Sequence, residues 1–213
     1  MLKYFIFCFA VCGLIGSCMS TNNLSPSAKT TSFSKAQEQL ILSADGATPM
    51  RVYKITNRQD SVLLRTKSGD VLANPNDPVL QTFVKRLYST VRDSMSLGVG
   101  IAAPQVGILK NIIWVQRFDK ADFPFEVYLN PKILQYTKKK QDCMEGCLSI
   151  PDRRDLTQTR AYAILIEYDQ LNGERKVGMV EDFTAVVFQH EIDHLNGILY
   201  LDHLEKEIKD SKP

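Results

Sequence analysis

The stretch from Ala161 to Gly197 leaves the chain the least freedom. Ala161–Tyr168 reads AYAILIEY, a β-branched and aromatic run. Asn172-Gly173 follows, and then Lys176–Val180. Two such runs around Asn-Gly are the signature of a β-hairpin. Phe183 to Leu195 then changes to helical character, with Asp182 expected as the N-cap and Asn196-Gly197 as the stop.

Upstream, Asn74-Pro75-Asn76-Asp77-Pro78 reads as a loop ending in a helix start, Asp77 as N-cap and Pro78 at the first position. Leu80, Phe83, Val84, Leu87 and Val91 keep helical spacing, so an amphipathic helix is expected over 78–95. Residues 50–56 and 61–65 are expected as short strands or an extended lead-in. Strands are expected at Asn111–Gln116, Glu126–Leu129 and Ile133–Tyr136, and a last helix at 202–209. The expected class is α+β, with antiparallel sheets packed around the later helix and a second, N-terminal helix. No repeat of solenoid length is visible.

Residues 1–20, MLKYFIFCFAVCGLIGSCMS, stand apart. Lys3 precedes an uncharged run from Tyr4 to Gly16, which suits the apolar core of a secretory signal and is short for a bilayer span. Ile15-Gly16-Ser17-Cys18 is similar to the lipobox of bacterial lipoproteins, in which the cysteine is lipidated. The plain alternative is a signal peptide cut near Ser17 or Ser20. The expected plan is a lipoprotein-type signal over 1–17, a flexible Ser/Thr/Asn-rich tether over 18–37, and one domain over 38–213. Lipidated Cys18 would tether the protein at the cell envelope, with secretion as the variant and the cytoplasm as runner-up. A formal net charge of +2 gives no electrostatic case for a nucleic-acid partner. Cys143 and Cys147, four apart on an extended segment, lie too far apart for a disulfide.

Gln189-His190-Glu191-Ile192-Asp193-His194 contains H-E-x-x-H. On a helix the two imidazoles lie one turn apart on one face and can reach one metal ion, and Glu191 between them can accept a proton. A catalytic site needs a third ligand. Downstream candidates are Asp202, His203, Glu205 and Glu207; His203 lies nine after His194, too far for the metzincin arrangement. Upstream, Glu145-Gly146-Cys147-Leu148-Ser149 offers a thiolate beside glycine, suited to Fe²⁺ or Zn²⁺. A third segment, Gly98-Val99-Gly100-Ile101-Ala102-Ala103-Pro104-Gln105, joins small residues to one long amide. It is not a dinucleotide fingerprint, since a third glycine is missing.

Together, G-V-G-I-A-A-P-Q, E-G-C-L-S and Q-H-E-I-D-H resemble the three signature motifs of peptide deformylase, in that family's order and over roughly Val62 to Leu204. Ile101 stands where the family commonly has Leu. The resemblance implies hydrolysis of the formyl group from formyl-Met peptide N-termini, an activity of protein biosynthesis. Cys147, His190 and His194 match the metal ligands, with Fe²⁺ as the usual ion and Zn²⁺, Ni²⁺ or Co²⁺ able to replace it. Glu191 matches the general acid/base, and Gln105 with the backbone N–H of Leu148 the oxyanion donors. Val99 and Gly100 match positions that pair with the peptide as an added strand. Val186 and Val187 fall where the methionine pocket is expected. Arg153 or Arg154 reaches the rim, or forms a solvated charge pair. Glu145 fits support of the motif loops, Cys143 and Trp114 fit packing, and a monomer is expected. The readings left beside this one are a metallopeptidase or other amidohydrolase on the same motif, and a non-catalytic formyl-peptide binder.

Overall fold

The computed structural model describes residues 33–93 and 97–211. The expected signal at 1–17, Cys18 and most of the expected tether lie outside the described residues. Helix α1, Lys35–Ile41, begins inside the stretch expected as tether. Ser34 and Gln37 cap it reciprocally, Ser34 N–H donating to Gln37 Oε1 at 2.9 Å and Gln37 N–H to Ser34 Oγ at 3.3 Å. Phe33 is buried against Phe83, ring centroids 5.8 Å apart. Residues 33–37, expected as tether, thus belong to the folded domain.

Residues 50–54 are an extended lead-in, as expected. The second expected strand, 61–65, is instead part of helix α2, Arg58–Leu64. Asn57 decides this, its side chain accepting from the N–H groups of Gln59 and Asp60. Helix α3, Pro78–Arg92, starts on Asp77, whose carboxylate accepts from Val79 N–H at 2.8 Å and Leu80 N–H at 3.3 Å. Among the described residues three helices thus precede the first strand, where one had been expected. The buried Arg86 of α3 holds α1 by donating to the carbonyls of Leu40 and Ile41, each at 2.9 Å.

Five strands make the main antiparallel sheet: β1 Gly100–Ala102, β2 Ile112–Gln116, β3 Phe125–Tyr136, β6 Ala163–Asp169 and β7 Arg175–Glu181, in the order β1-β2-β3-β6-β7. The strands expected at 126–129 and 133–136 are one continuous β3. The remaining pair, β4 Lys140–Cys147 and β5 Ile150–Ala161, forms a separate hairpin that sequence patterning did not reveal. Its strands are rich in charged, exposed residues and carry no strong apolar alternation. Cys143 and Cys147 lie on β4 as free thiols.

Helix α4, Asp182–Leu195, packs chiefly on β1, β2 and β7, and helix α5, Tyr200–Asp210, on β5. Strand β2 explains the layering. Ile112 packs with Leu80, Phe83 and Leu87 of α3, whereas Ile113 and Val115 pack with Val187, Phe188 and Ile192 of α4. One end of the sheet is therefore covered on both faces, which is why IIWV is apolar throughout. The start of α4 differs from expectation. Glu181 takes the cap position and makes no side-chain cap bond, and Asp182 is already in the helix with φ +57°. Strand β7 runs into α4 with no loop, and Asp182 N–H donates to Tyr162 O at 2.7 Å, so the sharp turn falls on Asp182 itself. The helix ends at Asn196-Gly197 as expected; Gly197 has φ +73°, and a Cβ there would run into the Arg65 backbone.

Candidate active site

Three segments converge on the His190–His194 turn of α4. The first is β1, whose outer edge has no strand beside it among the described residues. Val99 O accepts from Gln116 N–H at 2.8 Å, and the antiparallel alternation then turns the Gly100 carbonyl away from β2 toward the open edge. Gly100 must be glycine: a Cβ there would lie 2.6 Å from Glu191 Oε1 and 2.8 Å from Val187 Cγ1. Of the two residues expected to pair with a peptide, Val99 has its carbonyl already engaged, so Gly100 is the one that offers it.

The second segment is the 3₁₀ turn Ala103–Val106, which buries Gln105. Gln105 Oε1 accepts from Ala102 N–H at 2.8 Å, which orients Nε2 toward Ser149 Oγ at 3.3 Å and Cys147 Sγ at 3.6 Å. The lead-in segment fastens this turn to the third segment. Tyr53 N–H donates to Gln105 O at 2.7 Å, and Ile55 N–H to Ser149 O at 3.0 Å. The third segment is the tip of the β4–β5 hairpin, where Leu148-Ser149 forms a two-residue turn and Cys147 faces Ile150 across it.

On α4, His190, Glu191 and His194 are all buried. One ligand atom from each of Cys147, His190 and His194 lies within 4.8 Å of the others, and Cys147 Sγ is 3.2 Å from His194 Nε2. A tetrahedral ion with bonds of about 2.0–2.3 Å sets its ligand atoms about 3.5 Å apart, which this triangle brackets. Glu145 Oε2 takes His190 Nδ1 at 2.8 Å, leaving Nε2 for the centre. Burial pulls the His190 imidazole down, but Cys147 and Glu145 on its two sides lift it well above its usual value. Burial likewise pushes the Cys147 thiol up, and the two imidazoles reverse this and bring it well below. The thiolate is the form that binds metal. Glu191 Oε2 and His194 Nδ1 are buried with no hydrogen-bond partner among the described residues. One thiolate, two imidazoles and an unpartnered carboxylate oxygen fit a single divalent ion with an open position. Burial raises Glu191 to about 7, a value at which one carboxyl can both take and return a proton near neutral pH.

The centre opens into a cavity of about 700 Å³. Val186 and Val187 line it, and so do Phe183 and Cys143, which sequence reasoning left out of the site. Burial beside the Glu145 carboxylate pushes the Cys143 thiol up to about 11, so it is an uncharged wall group. Arg154 and Arg153 both border the cavity; Arg154 lies against Gly146, and Arg153 is exposed and paired with Asp155 at 2.7 Å. Leu148 sits at the cavity wall beside Cys147. Trp114 is half-buried behind the sheet, its Nε1 donating to Val84 O at 3.0 Å. None of the downstream candidates joins the group of Cys147, His190 and His194: His203 bonds Asp193, Asp202 pairs with Arg65, and Glu207 Oε1 accepts from the N–H groups of Gln158 and Thr159.

Sequence reasoning also missed the residues that hold α4 in place. Gln189 Oε1 accepts from Ala161 N–H at 2.9 Å and its Nε2 donates to Ala161 O at 3.0 Å, tying the helix to the end of β5. Arg160 pairs with both Glu145 and Asp193. The available signal was a buried-type position for an arginine one residue before the hairpin run, visible only once β5 is recognised as a strand.

A mixed α/β fold with a Cys/His/His centre and a buried glutamate beside it is that of a metal-dependent amide hydrolase. The family model described as Polypeptide deformylase matches residues 52–210, and the chain belongs to this family. The peptide deformylase of Finegoldia magna is 35% identical over 144 residues, covering 68% of this chain and 85% of its own. That of Desulforudis audaxviator is 37% identical over 153 residues, covering 72% and 94%. Among solved structures, a class I type b peptide deformylase from Acinetobacter baumannii with Met-Ala-Ser bound superposes with a TM-score of 0.65 at 32% identity, covering 74% of this chain and 99% of that one.

Proposed function

We propose that this protein hydrolyses the N-terminal formyl group of formyl-Met peptides and releases formate. One observation carries the reading: Cys147, His190 and His194 meet within 4.8 Å beside the buried Glu191, opposite the free strand edge at Gly100. The Acinetobacter relative, solved with the tripeptide Met-Ala-Ser, supports a peptide with an N-terminal methionine as the ligand.

Cys147, His190 and His194 would hold one divalent ion, Fe²⁺ by the family's habit and Zn²⁺, Ni²⁺ or Co²⁺ in its place. When bound, the ion supplies Lewis-acid activation of water and of the formyl carbonyl. The peptide lies along β1 as an added strand, its backbone on the Gly100 carbonyl and the neighbouring Val99. Its methionine side chain enters between Val186 and Val187, and Arg154 meets the chain at the rim. Gln105 Nε2 and the Leu148 N–H donate to the oxygen that gains charge as water attacks the formyl carbon. Glu191 takes the proton from that water and passes it to the amine nitrogen as the C–N bond breaks. The products are formate and a free N-terminal amine.

The test is turnover of a formyl-Met peptide under anaerobic conditions with defined metals. Formate release without internal cleavage is expected, and Glu191→Gln should lower kcat by about 10³ while metal content is kept. A folded, metallated wild type without turnover overturns the reading, and internal peptide cleavage assigns a peptidase instead.

We also infer export. The apolar run from Tyr4 and the Gly16-Ser17-Cys18 sequence support a signal over 1–17 and a lipidated Cys18. Lipid labelling that Cys18→Ala abolishes is the expected result; unprocessed full-length protein in the cytosol overturns it.

A further inference from the structure

We propose that His203, on the C-terminal helix α5, is a positioning residue for the imidazole of His190. The inference rests on the reading of Cys147, His190 and His194 as a metal site. His203 Nε2 donates to Asp193 Oδ2 at 2.8 Å. The same oxygen receives Arg160 Nη1 at 2.6 Å. Arg160 turns its other donors to Glu145, Nε to Oε1 at 2.8 Å and Nη2 to Oε2 at 2.9 Å. Glu145 Oε2 also takes His190 Nδ1 at 2.8 Å. Four direct contacts therefore join a helix on the surface to a ring at the metal centre.

The order of burial along this line matters. The side chains of Arg160 and Glu145 are each 3% exposed, that of Asp193 is 17% exposed and that of His203 is 31% exposed. The inner pair is sealed from water, and the outer link is where solvent competes for the Asp193 carboxylate. A guanidinium is a rigid planar fork, so its Nη1 cannot turn without moving Nε and Nη2. Asp193 sets the plane of that fork, and Glu145 follows the fork and sets the plane of the His190 ring. His203 is the second donor on the Asp193 oxygen that Arg160 uses. Without it, a water takes that place, and the fork loses a fixed outer stop.

Helix α5 grips His190 a second time. The Tyr200 ring stacks on the imidazole, centroids 6.0 Å apart at 26°, and its hydroxyl donates to Asp155 Oδ2 at 2.9 Å. The ring is thus held on its face by one α5 residue and at Nδ1 through another. Partners that orient a ligating histidine govern metal affinity by about 10–100-fold, and a link three residues further out is expected to carry a smaller share.

The test measures loss of Co²⁺ to a chelator, followed by visible absorption, in the full chain. Wild type is compared with His203→Ala, His203→Gln and Arg65→Ala, the last of which loosens α5 at its pair with Asp202 without touching Asp193. His203→Ala should release Co²⁺ about three- to tenfold faster with an unchanged circular dichroism spectrum. His203→Gln, whose amide can still donate to Asp193, should restore most of the wild-type rate. Equal rates in His203→Ala and wild type overturn the inference, as does equally fast release from Arg65→Ala, which would mark a general loosening of the helix. A wild type that takes up no Co²⁺ overturns the metal site itself.

Discussion

Gly100 is the residue with the least room to change. Its missing side chain lets β1 pass directly over Glu191, so that the carboxyl and the open strand edge face the same space. Gly100→Ala pushes a methyl group into Glu191 Oε1 and Val187 Cγ1, both of which sit on a helix packed against the sheet and cannot withdraw freely. A displacement of the base by about 1 Å costs on the order of 10²-fold. The expected outcome is a fall of that size in kcat/KM for a formyl-Met peptide, with the circular dichroism spectrum intact. Full activity in the variant would show that the close approach is dispensable. Cys147 depends on its neighbours in the same way, the two imidazoles holding its thiol well below the usual value.

At the scale of elements, the sheet separates stability from chemistry. Helix α3 covers one face of β2 and α4 the other. Phe83 is fully buried on the α3 side and reaches no residue of the centre. Phe83→Ala should therefore cost about 3–5 kcal/mol in a denaturant titration while kcat of the remaining folded enzyme stays within about twofold. A matching loss of kcat would mean that α3 communicates with α4 through the sheet. The β4–β5 hairpin has the opposite character. Little of it is buried, yet its tip carries Cys147, and its strands carry Glu145 and Arg160.

The whole molecule brings together ligands that are far apart in sequence. Cys147 sits on a hairpin tip and the two histidines on a helix, so an ion held between them joins two elements and binds only the folded chain. At about 100-fold excess over its dissociation constant such an ion adds about 2.7 kcal/mol. Removing it with a chelator should lower the melting temperature by about 5–10 °C in calorimetry, and re-addition should restore it. An unchanged midpoint would place any bound ion elsewhere.

Carboxylates give the molecule a second dependence. The Arg51 pair holds Asp60 low. Burial raises Asp169 and Asp193, but Arg175 and Asn130 outweigh it at Asp169, and His203 and Arg160 at Asp193. Glu145 is lowered too, His190 and Arg160 overcoming its burial. Folded values below unfolded ones mean that this stability is complete above about pH 4 and is lost as pH falls through the folded values. Urea midpoints should therefore fall steadily below about pH 4. A flat profile down to pH 3 would contradict these pairings.

Local chemistry alone determined much of this protein. Asp77-Pro78 starts α3, Asn172-Gly173 turns the β6–β7 hairpin, and H-E-x-x-H puts two imidazoles on one turn of α4, because each depends on neighbours within a few residues. The chemistry of the three motifs was legible for the same reason. Tertiary structure decided the rest. The β4–β5 hairpin carries no apolar alternation and exists by pairing and by its contacts with α5. Residues 61–65 became helix through the cap on Asn57 and the burial of Leu64. Asp182 yielded the cap to Glu181 because β7 runs into α4 with no loop. The line from His203 to His190 crosses α5, α4, β5 and β4, and no spacing in the chain announces it, since hydrogen bonds across such distances exist only after the elements have packed.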